Sequence, residues 1–170
     1  MPNVCSKSAA RPLNVHTERR SELFRVRAAR RGDAEAIGAL LRELGYPDAA
    51  DVGTVHWVIS HPEMEIIVAA DERDRAIGMV SLSHRPQLRM KGRIATIDEL
   101  IVTESWRRRG VGRELLRHAI QRAKVLCVKR LELLTHLGRA QVAHEFYKGC
   151  GFSEADSLVM RFHELEFSRQ

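Results

Sequence analysis

The turn Trp106-Arg107-Arg108-Arg109-Gly110-Val111-Gly112-Arg113 constrains this fold more than any other part of the chain. It follows an apolar strand, Ile97-Asp98-Glu99-Leu100-Ile101-Val102. It opens an amphipathic helix with Leu115, Leu116, Ala119, Ile120 and Ala123 on one face. A second strand follows at residues 130–135. Strand, helix and strand in that order predict a parallel pair joined by a crossover helix. The turn also predicts chemistry. The first N–H groups of a helix have no partner inside it, and they sit at the positive end of its dipole. Such an end holds phosphate-type anions. Gly110 and Gly112 let a ligand reach the backbone with no Cβ in the way. Arg107, Arg108, Arg109 and Arg113 add charge suited to a polyphosphate.

The spacing Arg-x-x-Gly-x-Gly is neither Gly-x-Gly-x-x-Gly nor a nucleoside triphosphate loop, which needs Lys-Ser/Thr. Taken alone, it leaves open a turn that merely bends the chain. A second motif lies downstream, Ala143-His144-Glu145-Phe146-Tyr147-Lys148-Gly149-Cys150-Gly151-Phe152. The two motifs resemble, in this order, the pyrophosphate signature and the Ala-x-x-Phe-Tyr-x-x-x-Gly-Phe ending of the GNAT acyltransferase superfamily. The resemblance runs over roughly residues 23 to 163. It implies an α/β (α+β) fold with a mixed, mostly antiparallel twisted sheet of about seven strands and helices on both faces. It also implies acetyl-CoA as cosubstrate and acetyl transfer to a primary amine by direct attack in a ternary complex.

The resemblance assigns residues 107 to 113, Val111 among them, to the pyrophosphate, with the arginines also near the 3′-phosphate. It assigns Leu100, Ile101 and Val102 to the pantetheine arm, which pairs with a strand edge as an added strand does. A backbone N–H there can hold the acetyl oxygen as it gains charge. Tyr147 matches the family tyrosine near the CoA sulfur. A phenol of pKa near 10 can protonate a leaving thiolate. Its neighbour Phe146 belongs to an apolar stripe, and core packing alone accounts for that spacing. Asp98 and Glu99 are adjacent, so strand alternation sends them to opposite faces. Glu99 matches the acid of Glu-Leu-x-Val in aminoalkylphosphonate N-acetyltransferases, where a carboxylate suits the role of base or anchor for an ammonium. A surface acid is the alternative. Many relatives carry Asn after the 130–135 strand. This chain has none there, and the resemblance offers Arg139 as the substitute for that contact with CoA. No ligand spacing joins His136, His144 and Glu99 into a metal site.

The net charge of +6 admits nucleic acid as a partner. Aromatics at 5%, without interleaved cations, offer no base-stacking surface, so no nucleic acid is expected. No apolar run approaches the roughly 20 residues of a membrane span. Cys5, Cys127 and Cys150 form no Cys-x-x-Cys pair, which points to a reducing, cytoplasmic setting. Residues 1–22 read as a mobile polar tail and 23–170 as one domain, and a homodimer is compatible with the family. A non-catalytic CoA-binding regulatory module and a protein or peptide amine acetyltransferase are the alternative functions.

Periodicity predicts the order β-α-α-β-β-β-α-β-α-β-β. Phe24, Val26 and Ala28 should face the core, with Arg25 and Arg27 in solvent. Asp33 should cap the first helix, which ends at Gly45, and Pro47-Asp48 should open the second. Residues 84 to 91 should form a basic connection. Residues 46–62 and 84–92 should wall the acceptor site, and the basic second stretch should favour an amine bearing a carboxylate or phosphonate. The last strand pair should include Phe152 and residues 158–162.

Overall fold

The computed structural model describes residues 23–46, 48, 51–135 and 140–160. They fall into two units that divide after Leu134. The first unit holds one sheet, ordered β1 (Phe24–Ala28), β2 (Met64–Asp71), β3 (Ala76–Gln87), β4 (Gly92–Val102) and β5 (Arg130–Leu133). The first three pairings are antiparallel and β4–β5 is parallel. Helices α1 (Ala34–Leu44) and α2 (Val52–Ser60) separate β1 from β2, and α3 (Val111–Val125) separates β4 from β5. The parallel pair is thus the one that the strand–turn–helix–strand order predicts.

Helices cover both faces of this sheet. Met79 lies in a buried cluster with Ile37 and Leu40 of α1, Val55 of α2, and Ile66, Val68 and Ile101 of the strands. Its neighbour Gly78 faces the other way, since a Cβ there would meet Leu115 of α3 at 3.2 Å. Adjacent strand residues point to opposite faces, so α3 packs opposite α1 and α2. Leu115, Leu116 and Ala119 of α3 are fully buried. Burying each leucine contributes about 1.5–3 kcal/mol, which fixes the helix and the turn that feeds it.

Several local expectations change. Among the described residues the sheet has five strands, where about seven were expected. Residues 152–160 carry no strand, and Leu158 and Met160 are each 86% exposed. Residues 161 and 162 of the expected last strand lie outside the described residues. Asp33 does not cap α1. Its carboxylate accepts the Arg30 backbone N–H at 2.7 Å and two Arg27 guanidinium N–H groups at 2.7 and 2.8 Å. A bidentate cation outcompetes a helix amide for a carboxylate. Arg27 is therefore not in solvent, with a side chain only 12% exposed, while Ala28 is exposed. Helix α2 starts at Val52, because Asp51 accepts the N–H groups of Gly53 and Thr54 at 2.7 and 3.0 Å. Pro47 lies outside the described residues. Residues 84–87 continue β3, with His84 buried and its Nδ1 2.9 Å from Nη1 of Arg93. Among the described residues no helix is long and apolar enough to cross a membrane.

The second unit contains α4 (Ala140–Lys148) and the chain that follows it. Gly151 adopts φ 94°, a left-handed value that suits glycine. The Phe152 N–H reaches the Tyr147 carbonyl at 3.1 Å, and the Gly151 N–H reaches the Lys148 carbonyl at 3.0 Å. These two bonds make a Schellman motif. The Phe152 ring packs edge-on against Tyr147, centroids 6.0 Å apart. The spacing Tyr-x-x-x-Gly-Phe is therefore a helix stop that holds the tyrosine ring.

Candidate active site

Strand β4 carries the acids on a bulge. Leu100 pairs with Val80 and Ile97 with Leu82. Asp98 and Glu99 on β4 thus oppose Ser81 alone on β3. An extra residue of this kind breaks strand alternation. Ala95 and Ile97 share a face with Leu82 and His84, and beyond the bulge Leu100 and Val102 share that same face. The expectation that Asp98 and Glu99 face opposite sides is therefore wrong. Glu99 hydrogen-bonds Ser81 and Asp98 hydrogen-bonds Ser83. Ser81 and Ser83 are two apart on one strand, so both acids lie on their face, the one covered by α1 and α2.

The bulge also satisfies its own backbone. Glu99 N–H donates to Ser81 Oγ at 3.0 Å, and the Ser81 hydroxyl donates to Oε2 of Glu99. Burial pushes the Glu99 carboxyl above the usual carboxylate range, the Ser81 hydrogen bond opposes it, and the Asp98 charge adds to the rise. Partial desolvation raises Asp98 as well, against its bonds to Ser83. Among the described residues neither acid has a cationic partner.

Among the described residues, an open strand edge adjoins these acids. Strand β5 pairs with β4 only over Ile94–Ile97. Glu99 N–H points to β3, as does Thr103 N–H, which reaches the Ile77 carbonyl at 2.9 Å. Alternation then turns Leu100 and Val102 toward the open edge. Ile101 turns its backbone to β3 and its side chain into the core. The Val102 carbonyl accepts Nε of Arg107 at 2.9 Å. The edge thus offers both backbone groups of Leu100 and the N–H of Val102.

The glycine turn follows. Gly110 precedes α3 with φ 88° and Arg108 has φ 61°. The first intrahelical bond runs from Glu114 N–H to the Gly110 carbonyl at 3.1 Å. The N–H groups of Val111 and Gly112 come before it and lie outside the helix ladder. The Val111 side chain is core at 1% exposure, so its contribution to a ligand is that amide. The arginines divide. Arg107 binds Oε1 of Glu43 at 2.7 Å, and the Glu104 N–H shares the same oxygen at 2.8 Å. Arg109 stacks over Trp106 at 5.2 Å. Arg108 is exposed and has no hydrogen-bond or ion-pair partner among the described residues. Arg113 is exposed on the first turn of α3.

In the second unit Tyr147 sits between Phe146, at 5.2 Å, and Phe152. Burial, reinforced by nearby Cys150, holds its phenol above the ordinary value, so it stays protonated through neutral pH. His144 instead pairs with Glu154 at 3.0 Å. Arg139 and His136 lie outside the described residues. Among the described residues no group of three metal-ligating side chains assembles.

Sequence reasoning missed Ser81, Ser83 and Glu43. Ser81 and Ser83 read as the polar positions of a strand, and their partners lie on another strand. Glu43 sits on the polar face of α1, 64 residues from Arg107.

The acetyltransferase (GNAT) family model matches residues 34–152. Comparison with curated protein sequences returns no match. Among solved structures, a transcriptional regulator from Bacillus halodurans C-125 is 26% identical with TM-score 0.70, covering 82% of this chain and 99% of its own. A putative acetyltransferase from Agrobacterium tumefaciens str. C58 is also 26% identical, with TM-score 0.72 and the same coverage. An aminoglycoside N-acetyltransferase in complex with CoA shares the fold at 17% identity and TM-score 0.72, covering 83% of this chain and 95% of its own. The family match takes in the bulged strand, the glycine turn and the Phe-Tyr helix stop, and so this chain belongs to the acetyltransferase (GNAT) family, acyltransferases that use acetyl-CoA.

Proposed function

We propose that this chain transfers acetyl from acetyl-CoA to the primary amine of a small molecule by direct attack. Residues 23–170 act as one acetyltransferase domain in this reading. The observation that carries it is the bulge of β4, which sets a half-buried Glu99 carboxylate, without a cationic partner among the described residues, beside an open strand edge. Acetyl-CoA supplies an activated acyl thioester. The amides of Val111 and Gly112, with Arg108, Arg109 and Arg113, suit its phosphates. Leu100 and Val102 suit its amide-rich arm, and the resemblance adds Arg139 and Phe146.

Glu99 attracts the acceptor's ammonium and takes its proton, directly or through water. The freed amine forms the N–C bond as the C–S bond breaks, and the nitrogen gives its second proton to solvent. Tyr147 gives its proton to the departing sulfur, and solvent reprotonates the phenolate. A carboxylate raised above its usual value is a better match to an amine's proton at neutral pH than an ordinary one.

The acceptor reading narrows. Arg89 and Lys91 sit at the tip of the β3–β4 hairpin, eight or more residues from Glu99. At about 3.3 Å per residue that is roughly 26 Å or more. Arg85 follows Ser81 and Ser83 on the same face of β3, and it favours an acceptor with a carboxylate or phosphonate, such as an amino acid or aminophosphonate. A panel of amines assayed for CoA release tests this. The expected result is turnover with small anionic amines, lost by about 10²–10⁴-fold in Glu99→Gln. Turnover only with peptide amines, or wild-type turnover in Glu99→Gln, overturns it.

A further inference from the structure

We propose that Ser81 is a positioning residue for acetyl transfer, one hydroxyl that fixes both the β4 bulge and the carboxylate of Glu99. The inference rests on the reading of Glu99 as base or anchor. Ser81 is 2% exposed, between Val80 and Leu82, which are wholly buried. A hydroxyl in such a place is costly unless it is bonded. Both of its bonds go to one residue, 18 positions away. A hydroxyl has one proton and two lone pairs. One lone pair takes the Glu99 N–H, an amide of the bulge. The proton is then directed at the Glu99 carboxylate.

The consequence is chemical as well as geometric. Donation to the carboxylate favours its charged form, which burial and Asp98 disfavour. Ser81 therefore keeps Glu99 able to accept a proton near neutral pH. It also ties the carboxylate to the backbone of its own residue, so the base is held at one place on the strand.

The test is a carboxyl-carbon NMR titration of glutamate-labelled protein, with Glu99→Gln assigning the Glu99 signal. Ser81→Ala should raise the Glu99 midpoint by about one pH unit, the size expected for losing a hydrogen bond to a charged group. Ser81→Thr, which keeps the hydroxyl, should restore it. The acid limb of kcat/KM should move with the midpoint, while acetyl-CoA affinity by calorimetry stays within twofold. An unmoved Glu99 midpoint in Ser81→Ala overturns the proposal, and so does a threonine variant that titrates like the alanine one. If Ser81→Ala fails to fold, Ser81→Cys keeps the size with a weak donor and must show the same upward shift. Failure of the Glu99 reading is separate: Glu99→Gln would keep full turnover whatever the titration of Glu99 shows.

Discussion

Replacing Asp33 by Asn should unlock the clamp that joins β1 to the start of α1. Asp33 accepts two N–H groups of Arg27, at 2.7 and 2.8 Å, and the Arg30 amide at 2.7 Å. The two side chains are 8% and 12% exposed, so solvent screens the pair little. Breaking a buried ion pair from one side typically costs about 3–5 kcal/mol, because the remaining charge stays desolvated. Arg27 keeps a second partner in Asp74, at 2.9 Å. The expected loss is therefore somewhat below that range, about 2–3 kcal/mol, or roughly 4–12 °C in Tm for a chain of this size. Urea denaturation at pH 7 measures it, with an unchanged m-value.

The pH dependence carries the sharper test. Arg27 hydrogen bonding holds the Asp33 carboxyl below its ordinary value. A carboxylate with a depressed folded pKa stabilises above the unfolded pKa, near 3.9, and loses that contribution as pH falls through the folded value. The gap between wild type and variant should thus be flat from pH 5 to 8 and shrink below pH 4. A gap under about 1 kcal/mol at pH 7, the size of a surface pair, would refute the reasoning. A gap that widens below pH 4 would do so too.

Further outcomes are expected at the glycine turn and at Tyr147. Arg108→Ala should weaken acetyl-CoA binding by calorimetry with little change in Tm. Arg107→Ala should lower Tm, since that side chain joins Glu43 to the Val102 carbonyl; equal behaviour of the two variants would contradict this division. Gly110→Ala places a Cβ at φ 88° and should cost about 1–2 kcal/mol while weakening CoA binding, read by thermal melting and titration. Tyr147→Phe should lower kcat about 10²-fold with CoA affinity kept. Because its phenol sits above the ordinary value, wild-type activity should not decline with rising pH until beyond about pH 10.

The helices and the strand–helix–strand order behind the parallel pair were legible in the sequence, whereas Phe152 read as a strand residue and is instead the end of a helix stop. A 3.6-residue stripe and a glycine at positive φ involve only neighbours. Those same local patterns carried the family resemblance. Tertiary structure decided what depends on a partner strand or a distant side chain. Alternation put Asp98 and Glu99 on opposite faces, and only pairing with β3 revealed the bulge that brings them together. Four arginines around one turn looked equivalent until Glu43, from α1, claimed Arg107. Asp33 read as a cap because helix starts favour Asp, yet a buried guanidinium from β1 is the stronger partner. Sequence periodicity records which residues a chain can bury. It does not record which of two acceptors a donor will choose, since that choice depends on distances set by the packed sheet.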